Sequence, residues 1–217
     1  MVKCENYLRY FKRYTDKFFT EVSDEDRYKI ELKIVHTMNV LKLMRRIAKE
    51  KGLTGEDYEI AKVIALFHDL GRFNQIKLYG TFSDKDSINH AEESVRELKR
   101  MNILDGAGDT YVPAHNKELI YKAILNHNKN RDVLDFGGDE KLKLMSELIR
   151  DCDKIDIYRS VEKYVVRQPI GEYMRAEGIS DPSPEITDGI FQNVMNNENV
   201  LMSNMKTVGD HAAYYMN

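Results

Sequence analysis

A chain of 217 residues, 42% of them apolar and with a formal net charge of −3, can bury one large core. Its charges of both signs are interspersed and nothing in them demands a polyanion, so neither nucleic acid nor a membrane is expected as a partner. Cys4 and Cys152 form no disulfide framework or metal-type CxxC pair, no apolar run approaches a membrane span, and the N-terminal segment lacks the apolar stretch of a secretion signal, so a cytoplasmic location is expected.

Residues 5–20 carry Tyr7, Leu8, Tyr10, Phe11, Tyr14, Phe18 and Phe19 at helical spacing, which predicts a helix with an aromatic face. Ser23 reads as the N-cap of a second helix running to about Glu50 and stopping near Gly52. Its predicted inner stripe is Leu32, Val35, His36, Asn39, Val40, Leu43 and Ile47. Glu56–Leu70 predicts a third helix that Gly71 ends, and residues 71–86 show no period and read as a long loop. Ser87 is expected to cap a helix from Ile88 to about Met101. A further helix from about Lys117 to Asn128 carries the stripe Ile120, Ala123, Ile124 and His127. After Gly137-Gly138, Asp139 opens a helix with Leu142, Met145, Ile149, Asp153 and Asp156 in line. Beyond Val166, Ser183 and Pro184 suggest the start of a helix over 185–195, and a last helix is expected within 199–216. No stretch alternates with period two, so the chain reads as all-α and as a single domain over 1–217.

His68 and Asp69 stand side by side at the end of the apolar run Ile60–Phe67. Burying an imidazole and a carboxylate is costly unless something pairs with both, and a divalent metal does so. His36, His90, His127 and Asp153 also fall on helical stripes or first turns, making six candidate ligands from five helices. Asp153 is the clearest case, because an ionised aspartate in line with Met145 and Ile149 calls for a cation. Asn39 and Asp156, each one turn beyond a candidate ligand, suit hydrogen bonding to the ligands. Arg72, Lys77, Lys129 and Arg131 are cations that could lie at the same end of the bundle. His115 reads as a cap or surface residue, His211 is unassigned, and Cys152 reads as a small core residue.

The order His36, His68-Asp69, Asp153, with the local contexts Phe67-His68-Asp69-Leu70-Gly71-Arg72 and Arg150-Asp151-Cys152-Asp153-Lys154-Ile155-Asp156, resembles the HD-domain superfamily of metal-dependent phosphohydrolases. The resemblance covers roughly residues 26–163, leaving an N-terminal helix and a C-terminal helical extension. It implies a helical bundle around one or two divalent ions (Mn, Fe, Mg, Zn or Ni). In the two-metal members the aspartate of the His-Asp pair bridges the ions. Carried over, His36, His68 and Asp153 hold one ion, His90 and His127 the second, and Asp69 lies between. The other reading keeps a single ion, with His90 and His127 contacting substrate phosphate. Arg72 stands where the family often has a basic residue, so it is expected beside Asp69 in catalysis.

The resemblance implies hydrolysis of a phosphoester in a nucleotide or another small phosphorylated metabolite. Two branches are disfavoured. Ser87-Ile88-Asn89-His90-Ala91-Glu92-Glu93 departs from the Glu-Asp motif of the guanosine-tetraphosphate hydrolases, and the Gly-Tyr-Pro signature of the cyclic-dinucleotide branch is absent. A di-iron HD-type oxygenase and a non-catalytic nucleotide-binding regulatory domain are the alternatives, and a homo-oligomer is left open.

Overall fold

Residues 60–67 are all buried, so the last two turns of the helix that carries them have no solvent face. In the computed structural model, residues 2–106, 111–167, 179–196, 198, 200 and 204–216 are described, without side chains at 161–167, 215 and 216. The helices are α1 (Cys4–Asp16), α2 (Phe18–Glu21), α3 (Asp24–Glu50), α4 (Gly55–Phe67), α5 (Leu70–Tyr79), α6 (His90–Arg100), α7 (Ala114–Asn126), α8 (Glu140–Arg167), α9 (Asp188–Met195) and α10 (Val208–Met216), with a 3-10 turn at Arg131–Val133. Among the described residues there is no strand, only two isolated bridges, so the protein is all-α. The chain falls into two compact units, Met1–Asp153 and Lys154–Asn217, where the sequence reading expected one continuous domain.

In the first unit α4 packs against α1, α3 and α7, and α5 packs against α6. Tyr7, Phe11, Tyr14 and Phe18 are buried, and their rings meet Phe67 and Phe73 at centroid distances of 5.7–6.0 Å. This aromatic face anchors α1 across the α4–α5 junction. The expected helix over 5–20 is broken into α1 and α2, and Tyr10 faces outward.

Ser23 caps α3, its Oγ accepting the Asp26 N–H at 3.2 Å. His36, Val40 and Leu43 are buried as read, but Val35 is 58% exposed. Thr37, Leu41, Met44 and Ala48 are buried instead, so the true stripe lies one position further round the helix.

The reading of Gly71 as a stop is corrected. Gly71 sits in the first turn of α5, and residues 70–79 are helical rather than loop. A Cβ at Gly71 would lie 2.3 Å from the His90 carbonyl oxygen and 2.6 Å from Ser94 N, so glycine is required by the close approach of α6. The turn that ends α5 is Gly80, at φ +63°. The N-cap of α6 is Asn89, not Ser87: its side chain accepts the N–H groups of Ala91 and Glu92. Helix α7 starts at Ala114, three residues earlier than predicted.

The second unit contains the C-terminal part of α8 together with α9 and α10, and its small core holds Ile190, Val200 and Ala213. Ser183 accepts the Glu185 N–H, but α9 begins only after Thr187. Asp210 accepts backbone N–H bonds from Thr187, Lys206 and Thr207 and ties the start of α9 to the start of α10. No described helix is long and apolar enough to cross a membrane.

Candidate metal centre

His68 is the last residue in line with α4 and Asp69 the N-cap of α5, so the pair occupies a two-residue corner between helices. An aspartate at an N-cap ordinarily accepts the first free N–H groups of its own helix. Asp69 makes no such bond, and its carboxylate is turned into the interior. Ser94 on α6 holds the corner: its hydroxyl accepts the Gly71 N–H and lies 2.8 Å from the carbonyl oxygens of His68 and His90.

The two oxygens of Asp69 face two different groups of histidines. Oδ2 lies 3.6 Å from His36 Nε2 and 3.8 Å from His68 Nε2. Oδ1 lies 3.5 Å from His90 Nε2 and 3.7 Å from His127 Nε2. Asp153 Oδ1 completes the first group at 2.9 Å from His36 Nε2 and 3.6 Å from His68 Nε2. His36, His68 and Asp153 form one set of donors close enough to share an ion, and His68, Asp69 and His127 form another. The six residues singled out in the sequence thus converge on one buried place.

The ring nitrogens point their lone pairs inward. A carbonyl oxygen can only accept, so Nδ1 of His68, 2.9 Å from Ala65 O, carries the proton, as does Nδ1 of His127, 2.6 Å from Ile124 O. His90 Nδ1 lies 2.6 and 2.7 Å from the carboxylate oxygens of Asp84 and carries its proton for the same reason. Each Nε2 is then a lone pair. His68 Nε2 is buried without a hydrogen-bond partner. His90 Nε2 and His127 Nε2 stand only 3.0 Å apart, lone pair toward lone pair. Such a set of donors fits a cation, which resolves both the orphaned nitrogen and the opposed pair.

The electrostatics run the same way. Burial pushes the Asp69 carboxyl up, but neighbouring positive charge, the Lys33 ammonium first, outweighs it and holds the group well below the usual carboxylate range. Burial also acts against ionised Asp153, and its reversal needs positive charge beside His36 and His68, from a protonated imidazole in the metal-free site or from a cation that takes the proton's place. For His90, burial and then the Arg72 charge lower the imidazolium to about 3, so the ring is neutral and able to donate a lone pair.

Three residues of the site escaped the sequence reading. Lys33 Nζ lies 3.0 Å from Asp69 Oδ2 and 5.1 Å from the centre of the Phe82 ring. It stands one turn before His36 on α3, a spacing that could have revealed it. Asp84 binds His90 from the segment between α5 and α6, where no periodicity points to it. Arg150, one turn before Asp153, is buried, and its Nη1 donates to the carbonyl oxygens of Asn126 and His127 at 2.9 and 3.1 Å. It closes the end of α7 and holds the backbone of a ligand candidate.

Arg72 lies beside the centre, its Nε 3.7 Å from Asp69 Oδ1 and without a hydrogen-bond partner. Its Nη1 donates to Gln75 Oε1, the Phe82 carbonyl and Asp84 Oδ1. Of the other candidate cations, Lys77 pairs with Glu21, Lys129 reaches Asn126 Oδ1 at 3.4 Å, and Arg131 lines a surface cavity with Leu134, Phe136 and Arg150. Asn39 is half-buried, His115 is exposed, and Cys152 is buried. Asp156 and His211 are buried and belong to the second unit.

An all-helical bundle whose helices deliver a His, a His-Asp corner and a distal Asp to one point defines the class, and a family model described as the HD domain matches residues 34–158. The chain belongs to the HD domain family, and its buried His and Asp groups can hold a divalent metal. Comparisons with curated proteins and with solved structures give no significant match.

Proposed function

We propose that this chain is a metal-dependent phosphohydrolase that cleaves a phosphoester of a nucleotide or another small phosphorylated metabolite. Membership of the HD domain family supports the reaction class. The observation that carries the reading is the division of Asp69, with Oδ2 toward His36 and His68 and Oδ1 toward His90 and His127. One carboxylate placed between two sets of histidines suits a pair of cations. In this reading His36, His68 and Asp153 would hold one, His90 and His127 would hold the other, and Asp69 would serve both. When bound, such ions supply Lewis acidity at the phosphoryl oxygens and lower the pKa of a water nucleophile.

The chain's own residues do the rest. The backbone carbonyls of Ala65 and Ile124 fix the tautomers of His68 and His127 with the proton on Nδ1, so that the Nε2 of each faces the site. Burial of Asp69 and the four histidines excludes bulk water and strengthens the charges inside. Lys33 brings an ammonium to the edge of the set, where it can balance the negative charge of a phosphate ester. Arg72 is proposed to serve the reaction through its unpartnered Nε–H, with the guanidinium held in place by Asp84.

The test is metal analysis of anaerobically purified protein, followed by a panel of phosphomonoesters, phosphodiesters and nucleotides with manganese, magnesium or ferrous iron under argon. Phosphate or nucleotide release without oxygen supports the proposal. Substrate-dependent oxygen uptake with no phosphate release overturns it in favour of the di-iron oxygenase. Nucleotide binding with no turnover on any substrate overturns it in favour of a regulatory domain.

A further inference from the structure

Asp84 is engaged from several elements around the centre, and no motif identifies it. It reaches His90 Nδ1 with both oxygens, at 2.6 and 2.7 Å. Oδ1 also accepts from Arg72 Nη1 at 3.0 Å and Gln75 Nε2 at 2.9 Å, and Oδ2 accepts from Asn128 Nδ2 at 3.1 Å. The donors come from α5, from α6 and from the residues just after α7, so three parts of the bundle converge on one carboxylate.

This arrangement has a chemical consequence for His90. The Nδ1 partners of His68 and His127 are backbone carbonyls within their own helices, one turn back. His90 stands at the first position of α6 and has no preceding helical turn to supply such a carbonyl. Without Asp84, nothing on its own helix would decide which nitrogen carries the proton. The opposite tautomer would aim an N–H at His127 Nε2, 3.0 Å away, and satisfy that lone pair with a hydrogen bond. That closed His–His pair would compete with any cation for the two nitrogens.

We propose that Asp84 is a positioning residue that holds His90 as the Nδ1–H tautomer and thereby keeps the His90 and His127 lone pairs open to a cation. Arg72, Gln75 and Asn128 hold Asp84 in turn. The inference rests on His90 and His127 acting as metal-facing ligands, but its tests need no turnover, so its failure is separable from failure of the hydrolase reading.

The first test uses the full chain after chelation. Long-range proton–nitrogen correlation of the imidazole side chains is expected to show His90 with a protonated Nδ1 and a bare Nε2. A wild-type spectrum with protonated Nε2 overturns the proposal without any variant. The second test titrates Mn(II) calorimetrically. Asp84→Ala is expected to shift His90 toward the Nε2–H tautomer and to weaken Mn(II) binding about 10- to 100-fold, the usual effect of losing a ligand's outer partner. Asp84→Asn keeps an acceptor for Nδ1–H and is expected to retain the tautomer and recover part of the affinity. Asn128→Ala removes one donor to Asp84 and leaves its bond to His90, so the tautomer is expected to stay. If Asp84→Ala does not fold, Asp84→Asn and the wild-type spectrum carry the test. Wild-type tautomer and Mn(II) affinity in folded Asp84→Ala overturn the proposal.

Discussion

Lys33 Nζ lies 3.0 Å from Asp69 Oδ2, the same oxygen that faces His36 and His68. An ammonium therefore shares the carboxylate with the proposed cation site. Removing one partner of a buried pair leaves the other charge uncompensated, which costs about 3–5 kcal/mol in a dry interior. Lys33 keeps 16% of its side chain exposed, so about 1–3 kcal/mol is expected in the metal-free protein for Lys33→Met. Added Mn(II) should restore much of that loss by supplying the missing positive charge. Thermal unfolding of both proteins with and without Mn(II) measures it; an equal deficit in both conditions would separate Lys33 from the metal centre.

Asp69→Asn is expected to abolish turnover and to weaken cation binding at both histidine groups, because it removes the charge that both face. Asp153→Asn touches only the His36–His68 group and should leave binding near His90 and His127 intact. Stoichiometry by metal analysis after gel filtration distinguishes the two. Wild-type metal content in Asp69→Asn would end the bridging reading.

Arg72→Ala removes a donor to Asp84 and the Nε that faces Asp69. Losing one preorganised donor in a site costs about 2–4 kcal/mol in transition-state stabilisation, on the order of a 30- to 1000-fold drop in kcat/KM. Arg72→Lys should recover little, because an ammonium cannot reproduce a planar guanidinium that meets Gln75, Phe82 and Asp84 together. Steady-state kinetics beside a melting curve gives the answer: unchanged kcat/KM with a lowered midpoint would make Arg72 purely structural.

The metal-free protein should lose stability on acidification from about pH 6.5. His90 titrates at about 3 when folded against 6.5 as a free group, so between these values the unfolded chain binds a proton that the folded chain does not. Stability therefore rises with pH across that window and falls as pH drops. Asp69 and Asp153, both held below the ordinary carboxylate range, stabilise the fold above about pH 4 and add to the loss below it. Melting curves of chelated protein from pH 8 to 4 test the sign, and His90→Asn should flatten the upper part of the slope.

Gly71→Ala places a methyl 2.3 Å from the His90 carbonyl oxygen, a backbone atom that cannot swing away. Overpacking of this kind costs about 1–3 kcal/mol. Since α6 must shift to admit the methyl, Mn(II) affinity should fall with stability. An unperturbed melting point would show that α5 and α6 are further apart.

Residues whose neighbours lie on their own helix were legible in the sequence. His36, His127 and Asp153 occupy apolar stripes of period 3.6, and an imidazole or carboxylate in such a stripe announces a buried polar group that needs a partner. The all-α class rests on the same local regularity, and the family resemblance on the order of His36, His68-Asp69 and Asp153 with their neighbouring residues. Val35 escaped because a stripe read by spacing alone is uncertain by one residue, about 100° of helix.

What tertiary structure alone decided lies where helices meet. Gly71 carries the local signature of a stop, yet it lies within a helix, and glycine stands there because α6 passes too close for any side chain. Asp84 sits in a segment without periodicity, and its role exists only because α5, α6 and the end of α7 bring Arg72, Gln75, His90 and Asn128 to it. The division of Asp69 between two groups of histidines is likewise a fact of packing. Sequence spacing records which face of a helix a side chain shares, because that period is intrinsic to the backbone; which nitrogen meets which oxygen is set by contacts between residues far apart in the chain.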